Sequence, residues 1–148
     1  MIKLRPSQIH YIYLDKEYKL GKYAHGDTPY TYYHFISLDK NKYPDEILLI
    51  RDISAAYSTI VKVSFKGHEL ILKEIIGNNL RVWTRMGNPS IEILQAYPIN
   101  DGGWYEAFIP KKDTSAIWEE RYWVDGFKLP ENLSFKEEID MQSIDNDY

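Results

Sequence analysis

Between Ile60 and Thr84 apolar and polar residues alternate almost without a break. Val61, Val63 and Phe65 fall on one side, with Lys62, Ser64 and Lys66 opposite; the alternation resumes through Leu70 and Leu72, then through Leu80 and Val82. Lys66-Gly67 and Gly77-Asn78-Asn79 interrupt it. Period-two patterning broken by Gly and Asn predicts half-buried strands joined by tight turns. We read a three-stranded meander with the rest of the chain packed around it.

The flanking stretches extend this picture. Ile9 to Leu14 alternates, Asp15-Lys16-Glu17 is a candidate turn, and Tyr18 to Tyr23 reads as a returning strand. His25-Gly26-Asp27-Thr28-Pro29 is a loop by its Gly and Pro, and Tyr30 to Ser37 is a further strand. Residues 39–52 fit two periods. Pro44-Asp45-Glu46 suits a first helical turn, whereas Ile47-Leu48-Leu49-Ile50 equally suits a buried strand; the short helix is the favoured reading. Beyond the meander, Arg85 to Pro89 is a loop, and Ile91 to Tyr97 is a strand or one helical turn. Asn100-Asp101-Gly102-Gly103 is a turn and Trp104 to Ile109 a strand. Asp113 or Thr114 is positioned to cap a short helix through Ile117, Trp118 and Arg121.

These elements predict an α+β fold: an antiparallel, meander-rich sheet with short helices packed on one side. Residues 1–131 read as one domain. A faint echo between 9–57 and 58–124 (Tyr33-His34-Phe35-Ile36 against Tyr105 to Ile109, each before a candidate helix) favours α+β over a pure barrel. Residues 132–148 are polar and acidic and are expected to fray. At 148 residues the chain is long enough to bury a core without metals or disulfides.

Charge and composition then narrow the chemistry. The net charge is −4, and residues 125–148 carry seven acids against two lysines, so the preceding chain is close to neutral. With no basic stripe, general nucleic-acid binding is disfavoured. The lack of cysteine removes thiolate catalysis and Cys-based zinc sites, and suits a cytoplasmic protein. No signal peptide or apolar run of membrane-spanning length is expected.

Catalytic patterns are sparse. No GxSxG, P-loop or GxGxxG arrangement occurs. His10 and His34, if on neighbouring strands, would make a general-acid/base pair; ordinary strand histidines are the plainer reading. His25-Gly26-Asp27 lacks the further ligands of a metal site, and no cofactor is implied. Glu119-Glu120 reads as a solvated helix face. The four tryptophans and thirteen tyrosines, seven of them within residues 1–36, fill a Leu-poor core and leave some for a protein partner.

Several segments together carry a family resemblance: Tyr33-His34-Phe35-Ile36, Phe65-Lys66-Gly67-His68-Glu69-Leu70, Leu80-Arg81-Val82-Trp83-Thr84, Gly103 to Pro110, and Ile117-Trp118-Glu119-Glu120-Arg121. This layout, from Tyr33 to Arg121, resembles small bacterial immunity proteins encoded beside polymorphic or contact-dependent toxins. The chain departs from that pattern in its tyrosine-rich N-terminus, in Ile75-Ile76-Gly77-Asn78-Asn79 where Asp-Gly is usual, and in its acidic tail. The resemblance implies a non-enzymatic inhibitor that occludes the active site of a cognate toxin, for which a basic nuclease domain is the leading candidate. Carboxylates would then mimic phosphate. Clustering in the sequence nominates Trp104, Glu106, Glu119, Glu120, Trp123 and Asp125 as contacts. The alternatives are a small hydrolase or nuclease using His10, His34 or His68, and a scaffold domain that dimerises through an open strand edge.

Overall fold

The computed structural model describes residues 1–25, 31–99 and 102–145, without the side chains of residues 23, 25, 144 and 145. Residues 26–29 of the expected loop, Tyr30 at the start of the expected strand, the first half of the 100–103 turn and the last three residues lie outside the described residues. Strand accounts for 54% of the chain and helix for 10%, so antiparallel sheet dominates and the α+β expectation is matched only roughly.

The chain divides into two compact units: an amino-terminal unit of residues 7–59 and 121–135, and a central unit of residues 1–6, 60–120 and 136–148. In the amino-terminal unit, β1 (Ile9–Tyr13), β2 (Lys16–His25), β3 (Tyr32–Ser37) and β4 (Glu46–Leu49) form an antiparallel sheet. β1 also pairs with the first residues of β5 (Ala55–Phe65). The first turn is tighter than the sequence predicts. Tyr13 pairs with Lys16, and Leu14 and Asp15 alone make the corner at φ 49° and 61°. Two consecutive left-handed residues match the twist of a two-residue hairpin. Gly21 sits in β2 where pairing to β3 shifts, and a Cβ there would stand 2.9 Å from the carbonyl oxygen of His34. Tyr11, Tyr18, Phe35, Leu48, Ile53 and Ala56 form this unit's core.

Residues 46–49 are a strand, not the expected helix; a short 3-10 turn at Ile50–Asp52 follows. Pairing with β3 sets Leu48 opposite Tyr33, and both Leu48 and Leu49 are buried. The open edge of β3 satisfies the backbone of this apolar run, and that long-range pairing outweighs the local helix signals of Pro44-Asp45-Glu46.

In the central unit the remainder of β5, β6 (His68–Ile76) and β7 (Asn79–Arg85) make the predicted meander. Lys66 and Gly67, at φ 48° and 79°, form the first turn, and Gly77 at φ 59° opens the second. After α1 (Ser90–Leu94) and the short β8 (Tyr97–Pro98), β9 (Trp104–Pro110) pairs with both β7 and β8. Val61, Val63, Leu70, Leu72, Leu80, Val82 and Ile109 lie in a shared core beneath this sheet.

The helix expected from Asp113 or Thr114 through Arg121 is instead β10 (Ala116–Trp123), preceded by a 3-10 turn at Lys111–Asp113. Ile117, Trp118, Glu119 and Glu120 are all buried. A strand covered on both sides loses its alternation, which is why the segment mimics a helix in sequence. The acidic segment after 132, expected to fray, contributes β11 (Lys136–Glu138), paired with β10. Ile139 next to it is 1% exposed, and Ile2 bridges to it. An apolar anchor inside an acidic stretch holds this part of the chain.

Candidate functional site

Period two gives the β5-β6-β7-β9 sheet two chemically different sides. On β7, Leu80, Val82 and Thr84 are buried, while Arg81, Trp83 and Arg85 project to the other side. Pairing with β9 sets Phe108 opposite Arg81, Glu106 opposite Trp83 and Trp104 opposite Arg85. Three residues of each strand thereby form one aromatic and charged surface, with Phe108 49% and Tyr97 45% exposed.

Glu106 organises it. Its Oε1 accepts hydrogen bonds from Arg81 Nη1 at 2.7 Å and Trp83 Nε1 at 2.9 Å, and its Oε2 accepts from the Tyr97 hydroxyl at 2.7 Å. Arg81 Nε donates to Glu74 Oε2 at 3.0 Å as well. Burial pushes the Glu106 carboxyl up, but hydrogen bonds from Arg81, Tyr97 and Trp83, with the Arg81 charge, outweigh it and hold the group below the ordinary glutamate range. The same bond to Glu106 holds the Tyr97 hydroxyl above its ordinary value.

This network orients the Trp83 indole, which meets Trp104 at 5.7 Å between ring centroids and a tilt of 40°. A cation lies over each ring: Lys73 Nζ is 4.3 Å from the Trp83 centroid, and the Arg85 guanidinium carbon is 4.5 Å from that of Trp104. Beside the pair opens a cavity of about 260 Å³ with Ile71, Trp83, Arg85, Asn88 and Trp104 in its lining. Lys62 and Glu69 also line it; their charged atoms are 3.8 Å apart.

The residues nominated from the sequence fare differently. Trp104 and Glu106 do share this surface, but Glu106 is 8% exposed and spent on internal partners. Glu119 is fully buried, with Arg5 Nε on one carboxylate oxygen at 2.7 Å and Nη2 on the other at 2.6 Å. Glu120 Oε1 is 3.0 Å from Lys62 Nζ, and its Oε2 accepts from Trp118 Nε1 at 2.8 Å. The solvated helix face expected at Glu119-Glu120 is therefore a buried strand whose charges are matched from within. Trp123 and Asp125 belong to the amino-terminal unit; both are exposed, and Trp123 Nε1 donates to the Phe127 carbonyl at 2.7 Å. Arg81, Trp83, Arg85, Tyr97 and Lys73 were not nominated. The alternation on β7 already separates Arg81, Trp83 and Arg85 from the core, but only the pairing of β7 with β9 brings them to Trp104.

The histidine pair is not formed: β2 lies between β1, which carries His10, and β3, which carries His34. His10 is fully buried, stacked on Tyr57 at 4.6 Å, with Nδ1 2.9 Å from Glu17 Oε2. The Tyr57 hydroxyl donates to the other Glu17 oxygen at 2.9 Å. Thr59 Oγ1 lies 3.5 Å from His10 Nε2, completing a carboxylate–imidazole–hydroxyl series. That hydroxyl is engaged by the backbone N–H and carbonyl of Gln8, both at 3.1 Å, and is 3% exposed, so the series ties strands together. Among the described residues no three His, Asp or Glu side chains are grouped to hold a metal ion. Among the described residues no helix is long and apolar enough to cross a membrane. Comparison with protein-family models, curated proteins and solved structures finds no match for this chain.

Proposed function

We propose that this protein is a stoichiometric binding protein of the toxin-immunity kind, and that it holds a protein partner on the Trp83–Trp104 face of its central unit. The observation that carries this reading is the pre-set aromatic pair. Glu106 fixes Trp83, Trp83 packs on Trp104, and exposed Phe108 and Tyr97 extend the apolar area. Rigid aromatic side chains lose little entropy on docking and dominate the binding energy of many interfaces. The sequence resemblance supplies the partner class: a bacterial toxin's C-terminal domain, met in the cytoplasm, with a nuclease as the leading chemistry. Phosphate mimicry by Glu106, Glu119 and Glu120 is not part of the proposal, because those carboxylates serve internal partners.

A tagged pulldown from the native bacterium tests it. Recovery of a one-to-one complex with the C-terminal fragment of a large secreted protein, lost in the Trp104→Ala, Phe108→Ala double variant, is the expected result. A complex indifferent to that double variant would move the interface elsewhere, with exposed Trp123 the next residue to change. Recovery of no protein would remove the immunity reading.

A further inference from the structure

We infer that the cavity beside Trp83 and Trp104 receives an acidic side chain of the protein partner, with Arg85 as the residue that reads its charge. The inference rests on the protein-binding reading above and deepens it.

Most of the cavity's polar lining donates. The Arg85 side chain makes one hydrogen bond among the described residues, a long one of 3.4 Å to the Gly102 carbonyl, and among those residues no carboxylate lies within ion-pair distance of it. Its guanidinium is held over Trp104 at 4.5 Å, which orients the planar donor fork without neutralising it. The Oδ1 of Asn88 accepts the Ser90 N–H at 2.9 Å, so the amide N–H2 of Asn88 remains to donate. The Trp104 indole N–H likewise has no acceptor among the described residues. Ile71 and the Trp83 ring supply apolar walls. Three donors around an apolar hollow call for an acceptor with several lone pairs, and a carboxylate on an aliphatic stem fits both features.

Among the described residues the lining holds one carboxylate, Glu69, and it gives the test its sign. It reaches Lys62 at 3.8 Å, and Lys62 is also claimed by the buried Glu120 at 3.0 Å. Glu69 is 62% exposed and repels an incoming acid. Removing its charge therefore strengthens binding of an acidic segment and weakens binding of a basic one.

A phage-displayed library of random linear peptides, each fused through its C-terminus so that no free terminal carboxylate is offered, is the probe. It is panned on the full chain and counter-selected on Arg85→Gln, with melting curves confirming that both variants fold. The expected outcome is enrichment of peptides carrying Asp or Glu next to an apolar residue. Affinity for them should fall about tenfold on Arg85→Gln, or on amidation of the peptide acid, and rise about threefold on Glu69→Gln. Basic peptides, peptides indifferent to Arg85, no enrichment at all, or a loss on Glu69→Gln would each overturn the inference. So would Arg85-dependent retention of oligothymidylate equal to that of the peptides, which would assign the donors to phosphate. A native partner that needs Trp104 and Phe108 but ignores Arg85→Gln and Glu69→Gln would overturn the cavity inference alone. Loss of the partner altogether removes the reading beneath it.

Discussion

Arg5 closes on Glu119 through two parallel hydrogen bonds, of 2.7 and 2.6 Å, and thereby neutralises a carboxylate that has no exposed surface. Such a fork-on-fork pair is geometrically demanding, and breaking one side strands the other charge. Arg5 keeps about a third of its surface in water, so it tolerates the loss better than Glu119 would. We expect Arg5→Ala to cost about 3 kcal/mol, at the low end for a buried pair. Glu119→Gln on the wild-type background should cost less, because the amide still accepts one hydrogen bond. Urea unfolding of the two single variants and their double measures this; additive effects would show that the pair is not coupled.

The Glu106 network makes a prediction about pH. Its carboxyl is held below the ordinary glutamate value of 4.5, so the folded state binds the proton less readily than the unfolded chain does. The stability this contributes is full above that value and is lost as pH falls through the lower folded one. Wild-type protein should therefore lose stability steeply below about pH 4.5. Glu106→Gln should be weaker at neutral pH and show a shallower slope in acid. Thermal melts across pH decide it, and an unchanged slope would mean that other carboxylates govern acid unfolding.

At the β1–β2 corner a leucine and an aspartate occupy left-handed backbone that glycine and asparagine favour, and Leu14 is 68% exposed. Replacing them by Asn-Gly relieves the conformational strain while giving up little burial. The double variant Leu14→Asn, Asp15→Gly should be more stable by about 1 kcal/mol, read from the urea midpoint. A loss would mean that the exposed leucine has a packing role.

Tyr18 is fully buried, and its hydroxyl has no hydrogen-bond partner among the described residues. Burial, followed by the nearby Glu46, holds that hydroxyl's pKa above 10.0. A buried donor without an acceptor costs about 1–3 kcal/mol, so Tyr18→Phe should stabilise the fold. A destabilised Tyr18→Phe variant would reveal a hydrogen bond to this hydroxyl.

The order in which the elements became legible follows from the range of the forces behind them. The meander was readable because its turns are local and its buried side alternates: Val61, Val63, Leu70, Leu72, Leu80 and Val82 all face the core as their spacing predicts. Two segments misled for opposite reasons. Glu46–Leu49 carries helix-start chemistry but finds an open strand edge on β3. Ala116–Trp123 is covered on both sides at its centre, so its pattern has no period to read.

By itself, then, the amino-acid sequence determined the strand-rich character, the positions of the two meander turns and the side of β7 that faces the core, since each depends on residues within a few positions of one another. The tertiary structure alone decided which strands lie side by side. That choice turned Glu119 and Glu120 from exposed acids into partners of Arg5 and Lys62. It also set Trp83 against Trp104, twenty-one residues further along the chain, because β9 pairs with β7. Charge burial and aromatic packing depend on contacts across the sheet, and no local pattern encodes which charge will be matched or which ring will be met.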